Sequence, residues 1–163
     1  AKEAAAGHTV AVHTYSHEYS KIYSSESAFY ADINKMNALI REQTGSSSKI
    51  LRFPGGSSNA VSKSYCSGIM TKLVKSVGEH GFVYSDWNVD SGDAGGTTST
   101  AQVVANVKNG CKNKNVSVVL QHDIKSYSVK AVEEIIKWGL SEGYSFKAMT
   151  TSNGIVHFSK LNN

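Results

Sequence analysis

The chain has 163 residues, of which 40% are hydrophobic and 18% are charged, and its formal net charge at pH 7 is +4. This length and composition are typical of a single globular domain, here residues 1–163. No apolar run approaches the roughly 18 residues that span a bilayer, and the basic residues form no stripe, so neither membrane insertion nor nucleic-acid binding is expected of this chain.

Residues 1–7 are typical of the end of a helix that Gly7 terminates. A chain that opens inside a helix is expected to have further sequence upstream in the natural protein. Short β-branched runs follow, and they alternate with runs whose apolar residues recur at helical spacing. The predicted strands cover residues 9–12, 50–53, 83–87, 116–121 and 145–149.

Four helices are predicted between these strands. Their apolar residues lie within 29–40, 69–77, 103–107 and 132–140, and glycines end the first, second and fourth at Gly45, Gly81 and Gly143. The third helix begins near Thr98 or Ser99, and Ser128 is the expected N-cap of the fourth. This alternation of strands and helices predicts a parallel sheet with helical crossovers.

A pair of histidines follows the first strand in the motif His13-Thr-Tyr-Ser-His17. Two imidazoles four residues apart can face one point on a helical turn, and imidazole is the commonest protein ligand of zinc. The pair would supply two of the three protein ligands of a catalytic metal site. The alternative is two solvated loop histidines.

Ionisable residues also follow the later strands. Arg52 lies in the last turn of the second strand, Asp93 follows the third, and His122 closes the fourth. Active sites of α/β barrels and open parallel sheets form at the carboxyl ends of the strands. The sequence therefore predicts that these residues share one site with the histidine pair.

Four motifs, in this order, resemble those of the metal-dependent polysaccharide deacetylases, the NodB-homology domain of carbohydrate esterase family 4. They are His13-Thr-Tyr-Ser-His17, Arg52-Phe-Pro-Gly-Gly56, Asp90-Ser-Gly-Asp93-Ala and Leu120-Gln-His122. The resemblance covers nearly the whole chain. It implies an α/β fold of the distorted (β/α) barrel type.

The resemblance implies hydrolysis of acetyl groups from N-acetylated or O-acetylated sugars. His13 and His17 would bind a divalent metal, zinc first and cobalt, nickel or manganese as alternatives. His122 would be the general acid that protonates the departing amine, and Asp93 would tune its basicity. Arg52 would orient the catalytic aspartate base.

The substrate-binding residues implied by the resemblance lie in two of the motifs. A backbone N–H of the 52–56 loop, with Gly55 and Gly56 allowing close approach, would help to bind the oxyanion. Leu120 would line the pocket for the acetyl methyl group. Trp87 is either a core residue or a stacking platform for sugar.

The chain departs from the family at three places. The T-F-D-D-G strand motif, which supplies the base and the third metal ligand, is absent, Ala94 stands where the family often has Trp, and Gly55 stands where many members have Tyr. Five predicted strands are also too few to close a barrel, which takes roughly 200 residues or more. We therefore expect a barrel that is incomplete at its N-terminus, with the aspartates encoded upstream.

The function predicted from the sequence is removal of acetyl groups from N-acetylglucosamine in a carbohydrate polymer, most specifically bacterial peptidoglycan. Chitooligosaccharide and acetylxylan are the alternative substrates, and the expected location is extracellular or at the cell surface. A non-catalytic glycan-binding or structural domain of the same fold is the main rival, followed by a metal-free α/β binding protein. Cys66 and Cys111 are either a disulfide or two thiols.

Overall fold

The computed structural model describes residues 1–162, whose contacts group into two compact units. Unit 1 comprises Ala1–Asp86 together with the segment from Ala148 onward, and unit 2 comprises Trp87–Lys147. Two compact units can belong to one domain, so the single domain expected over residues 1–163 stays a prediction.

Unit 1 holds the first part of the predicted alternation of helices and strands. Its helices are α1 (Lys2–Ala5), α2 (Tyr19–Ile22), α3 (Glu26–Thr44) and α4 (Ile69–Ser76), with a 3-10 turn at Ser62–Ser64. Its strands β1 (Ile50–Leu51) and β2 (Val83–Tyr84) pair in parallel. Val12 extends this sheet through an isolated parallel bridge to Leu51.

Helix α3 is the longest element of the described chain and shows why the local sequence folds as it does. The Ser25 hydroxyl accepts a hydrogen bond from the Ala28 N–H at 3.1 Å and so caps the first turn. Gly45 ends the helix in the left-handed region at φ 84°, which a residue without a Cβ adopts at no steric cost. The predicted face of α3 is buried at Phe29, Ile33 and Ile40.

The core of unit 1 forms where α3 and α4 pack against the paired strands. Its side chains are almost entirely apolar or aromatic, and burying each one stabilises the fold by about 1.5–3 kcal/mol. The largest fully buried members are Ile22, Tyr23, Phe29, Ile33, Leu51, Phe53, Ile69, Met70 and Leu73.

Unit 2 repeats the pattern on a smaller scale. Its elements are β3 (Val89–Asp90), α5 (Thr100–Cys111), β4 (Val119–Leu120), α6 (Ser126–Val129) and α7 (Val132–Ser141). β3 and β4 pair in parallel, with Val89 opposite Val119 and Asp90 opposite Leu120. Helix α5 packs against β3 and α7, and its buried valines, with Ala131 and Ile135, form the core of this unit.

The predicted strands differ from the observed ones in extent and number. Residues 50–53, 83–87 and 116–121 contain the strands β1, β2 and β4, each two residues long, whereas 9–12 contributes only the bridge at Val12. The run at 145–149 forms no strand, because a run becomes a strand only when a neighbouring backbone pairs with it. Val89–Asp90 is a strand that the sequence pattern did not predict.

The first three predicted helices are found, although α4 ends at Ser76 rather than near Gly81, and the fourth prediction is wrong in detail. Ser99 caps α5 as expected, accepting a hydrogen bond from the Gln102 N–H. The fourth helix is divided into α6 and α7, and Ser128 lies inside α6 rather than at an N-cap, because its hydroxyl hydrogen-bonds to Asp93 instead. Cys66 and Cys111 are free thiols. Across residues 1–162, no helix combines the length and apolarity needed to span a membrane.

Candidate functional site

The motif from His13 to His17 forms a loop between the Val12 bridge and helix α2. The two imidazole rings lie with their centroids 5.1 Å apart, at an interplanar angle of 61°. The two rings are neighbours, as the spacing of four residues predicts, but the helical turn that the prediction assumed is not formed. Thr14 and His17 instead have φ of 70° and 55°, a left-handed conformation that costs about 1–3 kcal/mol for each non-glycine residue.

The Arg52 backbone fixes the tautomer of His13. The ring Nδ1 lies 2.8 Å from the Arg52 carbonyl oxygen. A carbonyl only accepts, so Nδ1 carries the proton, and the lone pair of the neutral ring lies on Nε2. A backbone carbonyl that orients a histidine in this way is the usual companion of a metal-ligating imidazole.

Two residues of helix α3, Asp32 and Lys35, contact the same loop. The Asp32 carboxylate accepts hydrogen bonds from the Tyr15 N–H and from the Ser16 N–H, the latter at 3.2 and 3.3 Å to its two oxygens. The Lys35 Nζ lies 3.7 Å from the centroid of the Tyr15 ring, which is cation–π distance. Both supports come from one face of a helix whose other face is buried.

Arg52 lies next to a buried carboxylate, Asp86. Its Nε donates to the Ser85 carbonyl and its Nη2 to the Asp86 carbonyl, both at 3.3 Å. Burial lowers the pKa of Arg52, and the Asp86 carboxylate opposes that effect by favouring the charged guanidinium. The Asp86 side chain is itself held by the Ser57 N–H and hydroxyl and by the Phe158 N–H, at 2.8, 2.6 and 2.9 Å.

The glycines of the 52–56 loop are both in the left-handed region, with φ of 76° at Gly55 and 78° at Gly56. A Cβ at Gly55 would lie 2.6 Å from the Tyr19 hydroxyl, so the loop packs closely on α2 at this point. The Gly56 N–H donates to the Phe53 carbonyl at 2.8 Å and closes a turn. Gly55 is exposed and Gly56 is buried.

In unit 2, Asp93 and His122 form a hydrogen-bonded pair. The Asp93 carboxylate accepts from the His122 ring Nδ1 at 2.8 Å and from the His122 backbone N–H at 2.6 Å. The Ser128 hydroxyl donates to the same carboxylate. The Asp93 side chain is fully buried, whereas 36% of the His122 side chain is exposed, so the pair presents its imidazole to solvent.

These hydrogen bonds determine the charge state of Asp93. Burial by itself raises the pKa of this carboxyl group. The hydrogen bonds from the Ser128 hydroxyl and from the His122 ring and backbone outweigh burial and hold the pKa below its ordinary value. Asp93 is therefore a carboxylate at neutral pH and keeps the His122 ring oriented through Nδ1, with Nε2 on the other side of the ring.

The remaining predicted residues of unit 2 lie on its strands or beside them in the chain. Leu120 ends β4, two residues before His122, and is half-buried. Trp87 is the first residue of unit 2 and is half-buried. Asp90 accepts a hydrogen bond from the Gly92 N–H at 2.8 Å, which makes it a turn residue.

The chemistry of the donor set fits a zinc ion at His13 and His17. Both residues are exposed, their rings lie edge to face with centroids 5.1 Å apart, and the proton of the His13 ring lies on the nitrogen that faces the backbone. No group of three or more His, Cys, Asp or Glu side chains among residues 1–162 is placed to hold a metal. The described residues would thus offer two imidazoles toward the three ligands of a catalytic site.

Three supporting residues were missed by the sequence interpretation. Asp32 and Lys35 lie on a helix whose periodicity shows which face is buried but not what the other face touches. Ser128 was interpreted as an N-cap, since Ser at a helix start is the ordinary signal for one. Only the long-range contact with Asp93 distinguishes the two roles.

The chain is similar to known deacetylases. A family model described as polysaccharide deacetylase matches residues 1–69. The solved catalytic domain of a peptidoglycan N-acetylglucosamine deacetylase from Eubacterium rectale is 56% identical with a TM-score of 0.96, and the match covers 99% of this chain and 74% of that domain. A solved polysaccharide deacetylase from Bacillus cereus is 32% identical with a TM-score of 0.81, over 96% of this chain and 74% of that one.

A curated relative is the peptidoglycan-N-acetylglucosamine deacetylase of Bacillus cereus. It is 32% identical over 152 residues, which is 90% of this chain and 52% of that protein. The chain spans about half the length of the curated relatives it matches. The predicted fold class, α/β of the distorted barrel type found in these deacetylases, is confirmed by the structural matches. With 56% identity to one solved deacetylase domain across 74% of its length, the chain belongs to the polysaccharide deacetylase family.

Proposed function

We propose that the protein hydrolyses the acetamido group of N-acetylglucosamine in peptidoglycan and releases acetate, with a divalent metal ion, zinc first among the candidates. The observation that carries the proposal is the pair of neighbouring imidazoles, whose centroids lie 5.1 Å apart. The Arg52 carbonyl oxygen, 2.8 Å from the His13 Nδ1, sets the tautomer of that ring. Relatives named as peptidoglycan N-acetylglucosamine deacetylases support the choice of substrate.

His13 and His17 are the residues that would hold the ion. When bound, such an ion polarises the acetyl carbonyl and lowers the pKa of a water molecule. The chain's contribution is to hold the two imidazole rings close together, with their centroids 5.1 Å apart. The strained backbone at Thr14 and His17 fits this purpose, since strain of this kind is retained where function requires a fixed geometry.

His122 would protonate the departing amine. Hydrolysis forms a bond between the water oxygen and the acetyl carbon and breaks the bond between that carbon and nitrogen, so the nitrogen needs a proton as it leaves. The His122 ring is held at Nδ1 by Asp93, which leaves Nε2 as the nitrogen that exchanges this proton. The buried Asp93 carboxylate, 2.8 Å from Nδ1, keeps the ring in this orientation.

The other predicted residues would bind substrate or orient the base. Arg52 would orient the aspartate base, for which this sequence contains no T-F-D-D-G motif. A backbone N–H of the Gly55–Gly56 loop would bind the oxyanion, Leu120 would contact the acetyl methyl group, and Trp87 would contact sugar. Peptidoglycan as substrate places the protein at the bacterial cell surface.

The test is release of acetate from peptidoglycan fragments and from N-acetylglucosamine oligomers, with the metal-stripped chain and with zinc added back. We expect release that depends on zinc and falls to background in His17→Ala. In His122→Ala we expect the rate to fall about 100-fold or more, since a general acid contributes that much. His8→Ala, an exposed histidine outside the motifs, is the matched control and keeps the wild-type rate.

Zinc binding measured by calorimetry separates the possible failures. Zinc binding without acetate release overturns hydrolysis by residues 1–163 alone, which contain no T-F-D-D-G motif, and supports a glycan-binding domain of the same fold. Release from acetylxylan but not from peptidoglycan overturns the substrate. Absence of zinc binding overturns the metal site.

A further inference from the structure

We propose that Asp32 is the positioning residue of the histidine pair: its carboxylate fixes the backbone between His13 and His17 and thereby sets the affinity for a divalent metal ion. The inference rests on the metal site of the proposed function. It does not depend on hydrolysis, because it concerns metal binding by this chain alone.

The hydrogen bonds of Asp32 reach the centre of the motif. Its carboxylate accepts from the Tyr15 N–H at 2.5 Å and from the Ser16 N–H at 3.2 and 3.3 Å. The residues on either side of these two amides, Thr14 and His17, are the ones with positive φ. A backbone that reverses twice within four residues turns consecutive N–H groups to one side, where a carboxylate satisfies both.

The platform that carries Asp32 is rigid. Helix α3 buries Phe29 and Ile33 in the core of unit 1, at 0% and 1% exposure. Lys35, one turn beyond Asp32, holds the Tyr15 ring at 3.7 Å. The loop is therefore tied to α3 through both a backbone contact and a side-chain contact, and α3 is tied to the core.

Loss of the carboxylate removes the hydrogen bonds that offset the strain of the left-handed residues Thr14 and His17. The Tyr15 and Ser16 amides would turn to water, and His17 would relax toward negative φ, which rotates its ring away from His13. Replacing a residue that orients metal ligands typically weakens metal binding about 10- to 100-fold. We expect a loss of this size from Asp32→Ala and a smaller one from Asp32→Asn, since the amide oxygen still accepts a hydrogen bond.

The test measures zinc binding by calorimetry and the cobalt absorption spectrum with the full chain, for wild type, Asp32→Asn, Asp32→Ala and His17→Ala. The matched control is Glu42→Gln, which removes the same charge from an exposed position on the same helix. Hydrogen exchange of the Tyr15 and Ser16 amides in the metal-free chain is a second readout, and we expect it to be about tenfold faster in Asp32→Ala.

The order of zinc dissociation constants decides the matter. The inference is supported if zinc binds wild type most tightly, Asp32→Asn less tightly and Asp32→Ala most weakly. Glu42→Gln should then bind zinc as wild type does, and all variants should have the same circular dichroism spectrum. Equal affinities in wild type and Asp32→Ala overturn it and leave the proposed function standing. A wild-type chain that binds no zinc overturns both.

Discussion

Asp93 is a buried carboxylate whose charge is stabilised by hydrogen-bond donors, chiefly from Ser128 and His122. Ser128 supplies a hydroxyl, and His122 supplies its ring and backbone N–H groups. The free energy of unfolding depends on these donors, since the unfolded chain exposes the carboxyl group to water, where its pKa is about 3.9. A folded pKa below that value means that the carboxylate favours the folded state above pH 4.

Ser128→Ala tests this balance. Removing the hydroxyl raises the folded pKa of Asp93 toward its ordinary value and lowers the free energy of unfolding at pH 7 by about 1.5–3 kcal/mol, the contribution of a hydrogen bond to a charged group. The stabilisation by Asp93 is present above the unfolded pKa and is lost as pH falls through the folded pKa. The difference between wild type and variant should therefore shrink on acidification below about pH 4.

Urea unfolding between pH 2.5 and 7 measures this difference. Ser126→Ala, an exposed serine of the same short helix, is the control and should stay within about 0.5 kcal/mol of wild type. A destabilisation by Ser128→Ala that is equal at all pH values would contradict the link to the Asp93 charge.

At the scale of the secondary-structure elements, the packing of α5 on β3 depends on Gly110. A Cβ at Gly110 would lie 2.6 Å from the Val89 Cγ1, closer than carbon atoms approach. Alanine is intrinsically better than glycine in a helix by about 1 kcal/mol. Overpacking costs typically 1–3 kcal/mol, and here the strand below is fixed by its ladder with β4, so we expect the steric cost to be the larger of the two.

Gly110→Ala should therefore lower the free energy of unfolding by up to about 2 kcal/mol, measured by chemical denaturation. Gly95→Ala is the matched control in the same unit, since a Cβ there meets no atom within 4 Å. A Gly110→Ala variant that is more stable than wild type would show that Val89 moves aside.

The helices were predictable from sequence because their signals are local. Gly45 and Ser99 act within a turn of the helix that they end or begin, and the apolar spacing of α3 marks its buried face. The strands were less predictable, because β3 and the unpaired run at 145–149 depend on which backbone lies alongside. Of the candidate site, sequence indicated the Asp93–His122 contact and the facing histidines, but not Asp32, since that contact joins residues 16 and 17 positions apart.

At the scale of the whole molecule, metal binding should increase the free energy of unfolding. An ion that binds the folded chain and not the unfolded chain raises the free energy of unfolding by about 2.7 kcal/mol at a free concentration of 100 times its dissociation constant. We expect zinc to raise the melting temperature of the wild-type chain and a chelator to reverse the effect. The double variant His13→Ala/His17→Ala should show no such shift, and an equal shift in that variant would place the ion elsewhere.

The Asp86 cluster has a consequence for the order in which the chain folds during synthesis. Its carboxylate joins Ser57 to Phe158, which lies 72 positions after Asp86, and unit 1 takes in the segment from Ala148 onward. Unit 2 is contiguous in the chain, so all of its residues are translated before the segment that begins at Ala148. Most of unit 1 is translated before unit 2. The hydrogen bond from the Phe158 N–H to Asp86 can form only after unit 2 has been translated, so until then the Asp86 carboxylate lacks this donor.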